Sequence, residues 1–389
     1  MGAMPNWLPT SPTKNLPMTR RLSRLLARAT RQPLRMVSHW TARVAALHGI
    51  SASLYYLLVS REFRREQQAV LAGKLAYQRS LGSSGASSPL LRRNIHRLEK
   101  GLIMRPQRIP FALDYIGETV QHYVAAVQAG RVDVAELQWA ENILSEYFAC
   151  SVNEPKLEPW HRLYTSARPT NSDLVPGNDP SLRFAPYPHR LLPDCPVPYD
   201  DLLTLLKRRR SVRWFKQQAV PGDLVAKAVQ AASLAPSACN RQPFWFELFN
   251  DPRDAQEVTQ LALGSAGFSQ NVPCLLVVIG DLQAFPYERD RHLIYIDASL
   301  AAMQLMLALE TLGLSSCPIN WADISAQEQL MQNRLGLKLH QRPVMLIALG
   351  YADPDGWIPF SQKKPVPMLL RSGSLNHRPV QAAVLATTT

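Results

Sequence analysis

The alternation of apolar and polar positions divides the chain into a mainly helical first part and a mixed second part. Residues 61–80, Leu90–Ile103, 111–129 and 134–149 read as helices, with Ala129-Gly130-Arg131 splitting the last two and Gly101 falling where a helix would stop. The run Leu81-Gly-Ser-Ser-Gly-Ala-Ser-Ser-Pro89 is a break. Prolines then crowd 152–200, which predicts an extended linker without long helices or central strands. From Tyr199 helix and strand alternate. Asp201–Arg208, Pro221–Leu234, Asp254–Leu263 and the long apolar Tyr295–Leu312 read as helices; Phe244–Phe249, Cys274–Gly280 and Pro343–Gly350 read as strands.

Composition changes this picture mainly at the N-terminus. The chain has 389 residues, 46% of them hydrophobic, enough for a large core or two. The net charge is +13, and its sign favours anionic partners. No Asp or Glu precedes Glu62, whereas nine Lys or Arg residues lie between Lys14 and Arg61. Met18–Arg35 therefore has three readings: a basic amphipathic helix on an anionic membrane, a solvated helix against the rest of the chain, or a transit peptide. Val44–Ser60 carries no charged residue, but 17 residues with several polar ones is short for a membrane span. The five cysteines include no C-x-x-C pair, so no metal site is expected and a reducing cytoplasm is the simplest compartment. No nucleic-acid recognition module is visible.

The densest candidate chemistry is Lys207-Arg-Arg-Arg-Ser-Val-Arg-Trp-Phe215, where four arginines and a hydroxyl sit within a few residues. Guanidinium forks match phosphate oxygens bidentately, although a run of charge can equally be a solvated helix end. Ala235-Pro-Ser-Ala-Cys-Asn-Arg-Gln-Pro-Phe-Trp-Phe246 follows, a polar loop leading into a strand. Its Asn240 and Gln242 amides offer donors and acceptors, or simply stabilise a turn. A third polar cluster, Ile95-His-Arg-Leu-Glu-Lys-Gly101 with Arg105 and Arg108, reads as a salt-bridged helix surface or as a cover over a ligand.

The two blocks from Arg209 and Ala235, in this order, resemble the FMN-dependent nitroreductase family, with Phe244 in place of the usual Trp. Asn271–Gly280, Asp297–Cys317 and the Lys363-Lys364 pair before Pro365 fit the same pattern. The resemblance implies an α+β fold: a mixed, mostly antiparallel sheet flanked by helices, here preceded by a mainly helical N-terminal region. With the charge, periodicity and proline density above, the chain divides into a basic arm (1–60), a helical region (61–150), a Pro-rich linker (151–199), an FMN-binding domain (200–371) and a tail (372–389). Arg209, Arg210, Ser211 and Arg213 are then expected to hold the FMN phosphate and ribityl chain, with Lys363 or Lys364 closing on the phosphate. Asn240 and Gln242 are expected at the flavin ring, and backbone groups of Pro318, Ile319 and Asn320 near its N5. Cys239 and Cys317 come close to it, with packing as their default role. His292 and His340 have no motif support. The implied activity is an FMN-dependent oxidoreductase moving hydride between NADH or NADPH and a small-molecule acceptor, with no catalytic side chain required. The implied assembly is a cytoplasmic homodimer, with peripheral membrane contact through the basic arm as a further expectation. The alternative is a non-catalytic flavin-fold protein whose N-terminal half binds a membrane or a partner.

Overall fold

The computed structural model describes residues 41–60, 62–82, 85–107, 109–151, 154–168 and 184–373. The helix expected over Met18–Arg35, Arg108 and most of the tail lie outside the described residues. Short α1 (Gly49–Leu58) and longer α2 (Arg64–Ser80) come first. Next are α3 (Pro89–Leu102), α4 (Ile116–Ala129) and α5 (Val134–Cys150). Their starts and stops follow local chemistry. Ser88 caps α3 by accepting from the Leu91 N–H, with Pro89 in the first turn, and Asp133 caps α5 by accepting from Ala135 and Glu136. Gly130, at φ 58°, ends α4 in the left-handed region. Gly101 does not stop α3, which runs one residue further. It is needed there because a Cβ would run into the Phe111 ring. Leu91, Ile95, Leu98, Val120, Tyr123 and Leu144 are among the residues that give these helices a core of their own.

The proline-dense stretch is not free of helix. Glu158–Ala167 forms α6, buries Tyr164 and packs on α4. Pro159 sits in its first turn, where no N–H is required, and the next proline comes only at Pro169. The proline-free stretch between them is long enough for the helix.

The second half carries α7 (Tyr199–Arg208), α8 (Gly222–Ala232), α9 (Pro252–Gln260), α10 (Leu293–Thr311), α11 (Ser325–Leu335) and short α12 (Val366–Leu369). Its strands are β1 (Phe244–Phe249), β2 (Cys274–Asp281), β3 (Ser315–Asn320) and β4 (Gln341–Gly350). The sheet order is β1-β2-β4-β3 and every strand pair is antiparallel. Alternation along β2 feeds two cores. Leu275, Val277 and Ile279 face α9 and α11, whereas Cys274, Leu276 and Val278 face α8 and α10. The fold is thus α+β, with a helical region in front.

The helical region is pinned to the sheet by α2. Its Gly73 lies against the Leu282 backbone. Its Arg65 is buried, donating to the Leu339 carbonyl and to Gln332 Oε1. Beside it, buried Arg342 bonds Glu328 and Asp323, and Trp321 Nε1 donates to Glu328 at 2.6 Å.

Candidate active site

The arginine block begins where α7 ends. The chain leaves the helix at Arg209 and runs extended along the outer side of β3. Ser211 pairs with Ser316 in a parallel bridge, and the Val212 N–H donates to the Ser316 carbonyl at 3.1 Å. Buried Val212 and Phe215 anchor the segment, and the Phe215 N–H donates to Asn271 Oδ1 at 2.6 Å. Arg208 bridges to Glu310 at 3.4 Å. Burial pushes the Glu310 carboxyl up, against the pull of Arg208, the Ser315 hydroxyl and Arg209. Arg209, Arg210 and Arg213 are half-buried, and none has a carboxylate partner among the described residues. Arg213 lies 5.6 Å from the centre of the Phe268 ring. Arg209 Nε and the Ser316 hydroxyl are buried without a hydrogen-bond partner. Burial raises the Cys317 thiol, opposed by Arg213, Arg209 and a hydrogen bond from Ser211.

The Asn240 loop is strained in a specific way. Cys239, Asn240 and Gln242 have φ of 52°, 50° and 48°, left-handed values that cost non-glycine residues free energy. Such a loop persists only if its surroundings fix it. Asp297, buried in the first turns of α10, accepts from the Ala238 N–H at 2.9 Å. Ser237 Oγ accepts from the Gln242 N–H, and the Gln242 side chain donates to the Ser233 carbonyl at 2.7 Å. Arg241 lies over the Phe285 ring at 4.9 Å, and burial lowers its pKa.

The remaining restraint comes from the helical region. Arg92 of α3 donates from Nε to the Asn240 carbonyl at 2.7 Å, from Nη2 to Gln242 Oε1 at 3.2 Å, and from Nη1 to Glu136 of α5 at 2.9 Å. Glu136 is itself held by the Ser87 hydroxyl and the Ser88 N–H. On one side of this bridge lies a cavity of about 670 Å³ with Val229, Phe244 and Phe246 on its walls. On the other side a cleft of about 450 Å³ touches Asn240, Trp139 and Tyr187. Nothing in the sequence separates Arg92 from Arg93 or Arg97, because only tertiary contact distinguishes them. Those two are instead paired within the helical region, Arg93 with Glu118 and Arg97 with Asp114 and the Tyr115 ring.

The expected site residues are not gathered at one point within the chain. The arginine block lies against the C-terminal end of α10 through Glu310, whereas the Asn240 loop hangs on its N-terminal end through Asp297. Thirteen residues of helix separate those anchors, roughly 20 Å at about 1.5 Å per residue. The blocks also flank opposite edges of the sheet, β3 and β1. Pro318, Ile319 and Asn320 form the second half of β3, on the arginine side of the sheet. Lys363 and Lys364 are exposed on an extended segment, and among the described residues neither contacts the arginine block. Half of the Gln242 amide is already committed to Ser233 and Arg92.

The nitroreductase family model matches residues 206–266 and 246–351. An NADH dehydrogenase of Thermus thermophilus is 28% identical over 192 residues, which are 41% of this chain and 91% of that protein. An iodotyrosine deiodinase of Thermotoga neapolitana is 28% identical over 176 residues, 39% of this chain and 89% of that protein. A nitroreductase family protein of Streptococcus pneumoniae, of known structure, is 25% identical. That match covers 44% of this chain and 100% of that one, with a TM-score of 0.39. All of these matches cover less than half of the chain. Over residues 206–351 the chain is similar to the nitroreductase family, whose model matches it there.

Proposed function

We propose that this protein is an FMN-dependent oxidoreductase that works as a homodimer. The observation that carries the reading is the set of half-buried arginines, Arg209, Arg210 and Arg213, none within ion-pair distance of a carboxylate among the described residues, beside the orphaned Arg209 Nε and Ser316 hydroxyl. Cations held partly out of water need an anion, and a phosphate monoester with its neighbouring hydroxyls fits this donor set. Bound FMN would supply hydride acceptance at N5 from NADH or NADPH and delivery of reducing equivalents to a small-molecule acceptor. The relatives' names span NADH dehydrogenase and iodotyrosine deiodinase, which supports redox turnover of small molecules. The chain's own part is to bind and orient. Arg209, Arg210, Ser211 and Arg213 would grip the phosphate end, the Pro318–Asn320 backbone would line the ring, and Lys363 or Lys364 would add charge.

The separation of the two blocks supports the homodimer. Ile296, Leu300 and Met303 form an exposed apolar stripe on α10. Two copies packed stripe to stripe about a two-fold axis perpendicular to α10 run their α10 helices antiparallel. The arginine block of one protomer then meets the Asn240 loop of its partner, and each cradle is shared. The direct test is flavin retention. Purified protein should be yellow, and Arg209→Ala with Arg213→Ala should weaken FMN binding by roughly tenfold or more, as expected for lost charge-assisted bonds. Unchanged affinity in that double variant would remove the phosphate assignment.

A further inference from the structure

An exposed apolar helix among the described residues lies far from this site in the chain. Among the described residues of α1 and the turn before it, Leu47, Ile50, Leu54, Leu57 and Leu58 are 71%, 80%, 50%, 62% and 74% exposed. Ile50, Leu54 and Leu57, four and three residues apart, share one face of α1, with Leu58 beside them and Leu47 in the turn before the helix. The other side of the helix, with Ser51, Ala52 and Tyr55, is half-buried, and Ser51 Oγ donates to the Ala45 and His48 carbonyls. No residue of α1 is buried. The helix is tethered to the body by a short connector, where Arg64 donates to the Leu57 carbonyl. An apolar face of this size in open water needs a cover.

We infer that the cover is the surface of an anionic lipid bilayer, with α1 lying in its interfacial plane. Charge selects this occupant. From Val44 to Ser60 there is no Asp, Glu, Lys or Arg, so nothing on the helix resists entry into the headgroup region. The sequence around it has nine Lys or Arg residues from Lys14 to Arg61 and no acid. That combination of an apolar face and a one-sign basic flank is what an acidic membrane surface attracts. A second copy of the chain is a poorer cover, because a two-fold contact at this face would bring two acid-free basic segments together. Nucleic acid would engage the arginines but leave the leucines in water. Crossing the membrane is also excluded on length. Ten residues span about 15 Å, half of a hydrocarbon core of about 30 Å.

The test is flotation of the full-length protein with vesicles of phosphatidylglycerol and phosphatidylcholine, and with vesicles of phosphatidylcholine alone. The wild type should float with the mixed vesicles, poorly with the neutral ones, and less at high salt. The triple variant Ile50→Asp, Leu54→Asp, Leu57→Asp should lose partitioning by roughly tenfold or more. It should keep the wild-type circular dichroism and solution mass, since all three side chains are exposed. Wild type that ignores anionic vesicles overturns the inference, as does a triple variant that floats equally well. A triple variant of lower solution mass also overturns it, because a second copy would then be the cover. Flavin content is an independent readout, so failure here leaves the reading of the arginine block untouched.

Discussion

At the scale of single residues, Arg92 joins the two halves of the molecule. Its side chain is 15% exposed and that of Glu136 is 3% exposed, so the pair is nearly dry. Arg92→Ala leaves Glu136 without its cation and two strained residues without their donor. The expected cost is about 3–5 kcal/mol of stability. Arg92→Lys keeps the charge but not the fork, so it should recover much of the stability while the loop stays loose. Thermal denaturation together with hydrogen exchange at residues 238–242 separates the two effects. Equal protection of the loop in wild type and both variants would show that Arg92 does not hold it. Asp297 gives a pH signature. Burial raises its pKa, against the pull of the Ala238 N–H and Arg241. The folded state therefore holds this proton more tightly than the unfolded chain. Stability from this group is present below the ordinary carboxylate range and is lost as pH rises through the raised folded value. Asp297→Asn, which can still accept from Ala238, should flatten that decline, as measured by denaturation midpoints across pH.

At the scale of elements, α2 is the docking strut. A Cβ on Gly73 would fall 3.0 Å from the Leu282 backbone carbon and oxygen, and backbone cannot swing away as a side-chain tip can. Gly73→Val should cost about 1–3 kcal/mol through overpacking. It should also make the helical region cleave first in limited proteolysis. An unchanged melting temperature would place α2 off the sheet domain in solution. The elements most legible in the sequence were those with continuous apolar runs, such as β2, β4 and α10, where period and length agree. Ser315-Ser-Cys-Pro-Ile-Asn320 has a proline in its middle and no apolar run, yet it is β3, because antiparallel pairing with β4 outweighs its weak strand propensity. Helix α11 also lacked a signal. Its polar surface gives no periodic stripe, and Glu328 is buried only because Arg342 and Trp321 receive it. The arginine block was legible because charge density survives without tertiary structure. The role of Arg92 was not, since it depends on where α3 lands.

At the scale of the whole molecule, the proposed cradle can be tested by mixing defects. One copy carries Arg209→Ala and Arg213→Ala, and the other carries Asn240→Ala. If each cradle draws on both copies, the mixed dimer has one intact site and one doubly damaged site. Activity with NADH should then rise to about half the wild-type value per mixed dimer, from near zero in either parent. If each copy builds its own site, mixing restores nothing. Different affinity tags on the two copies, purified in sequence, isolate the mixed dimer and show that exchange has taken place.

The opposite-ended placement of the two blocks on α10 also bears on how the protein behaves when scarce. If each copy holds half a cradle, cofactor capture and subunit pairing are linked equilibria, and each strengthens the other by the same factor. Dilute protein should shed its flavin, and free flavin should hold subunits together at concentrations where they would otherwise part. Colour would then report on abundance, and the enzyme would switch on with a steeper than linear dependence on its own expression.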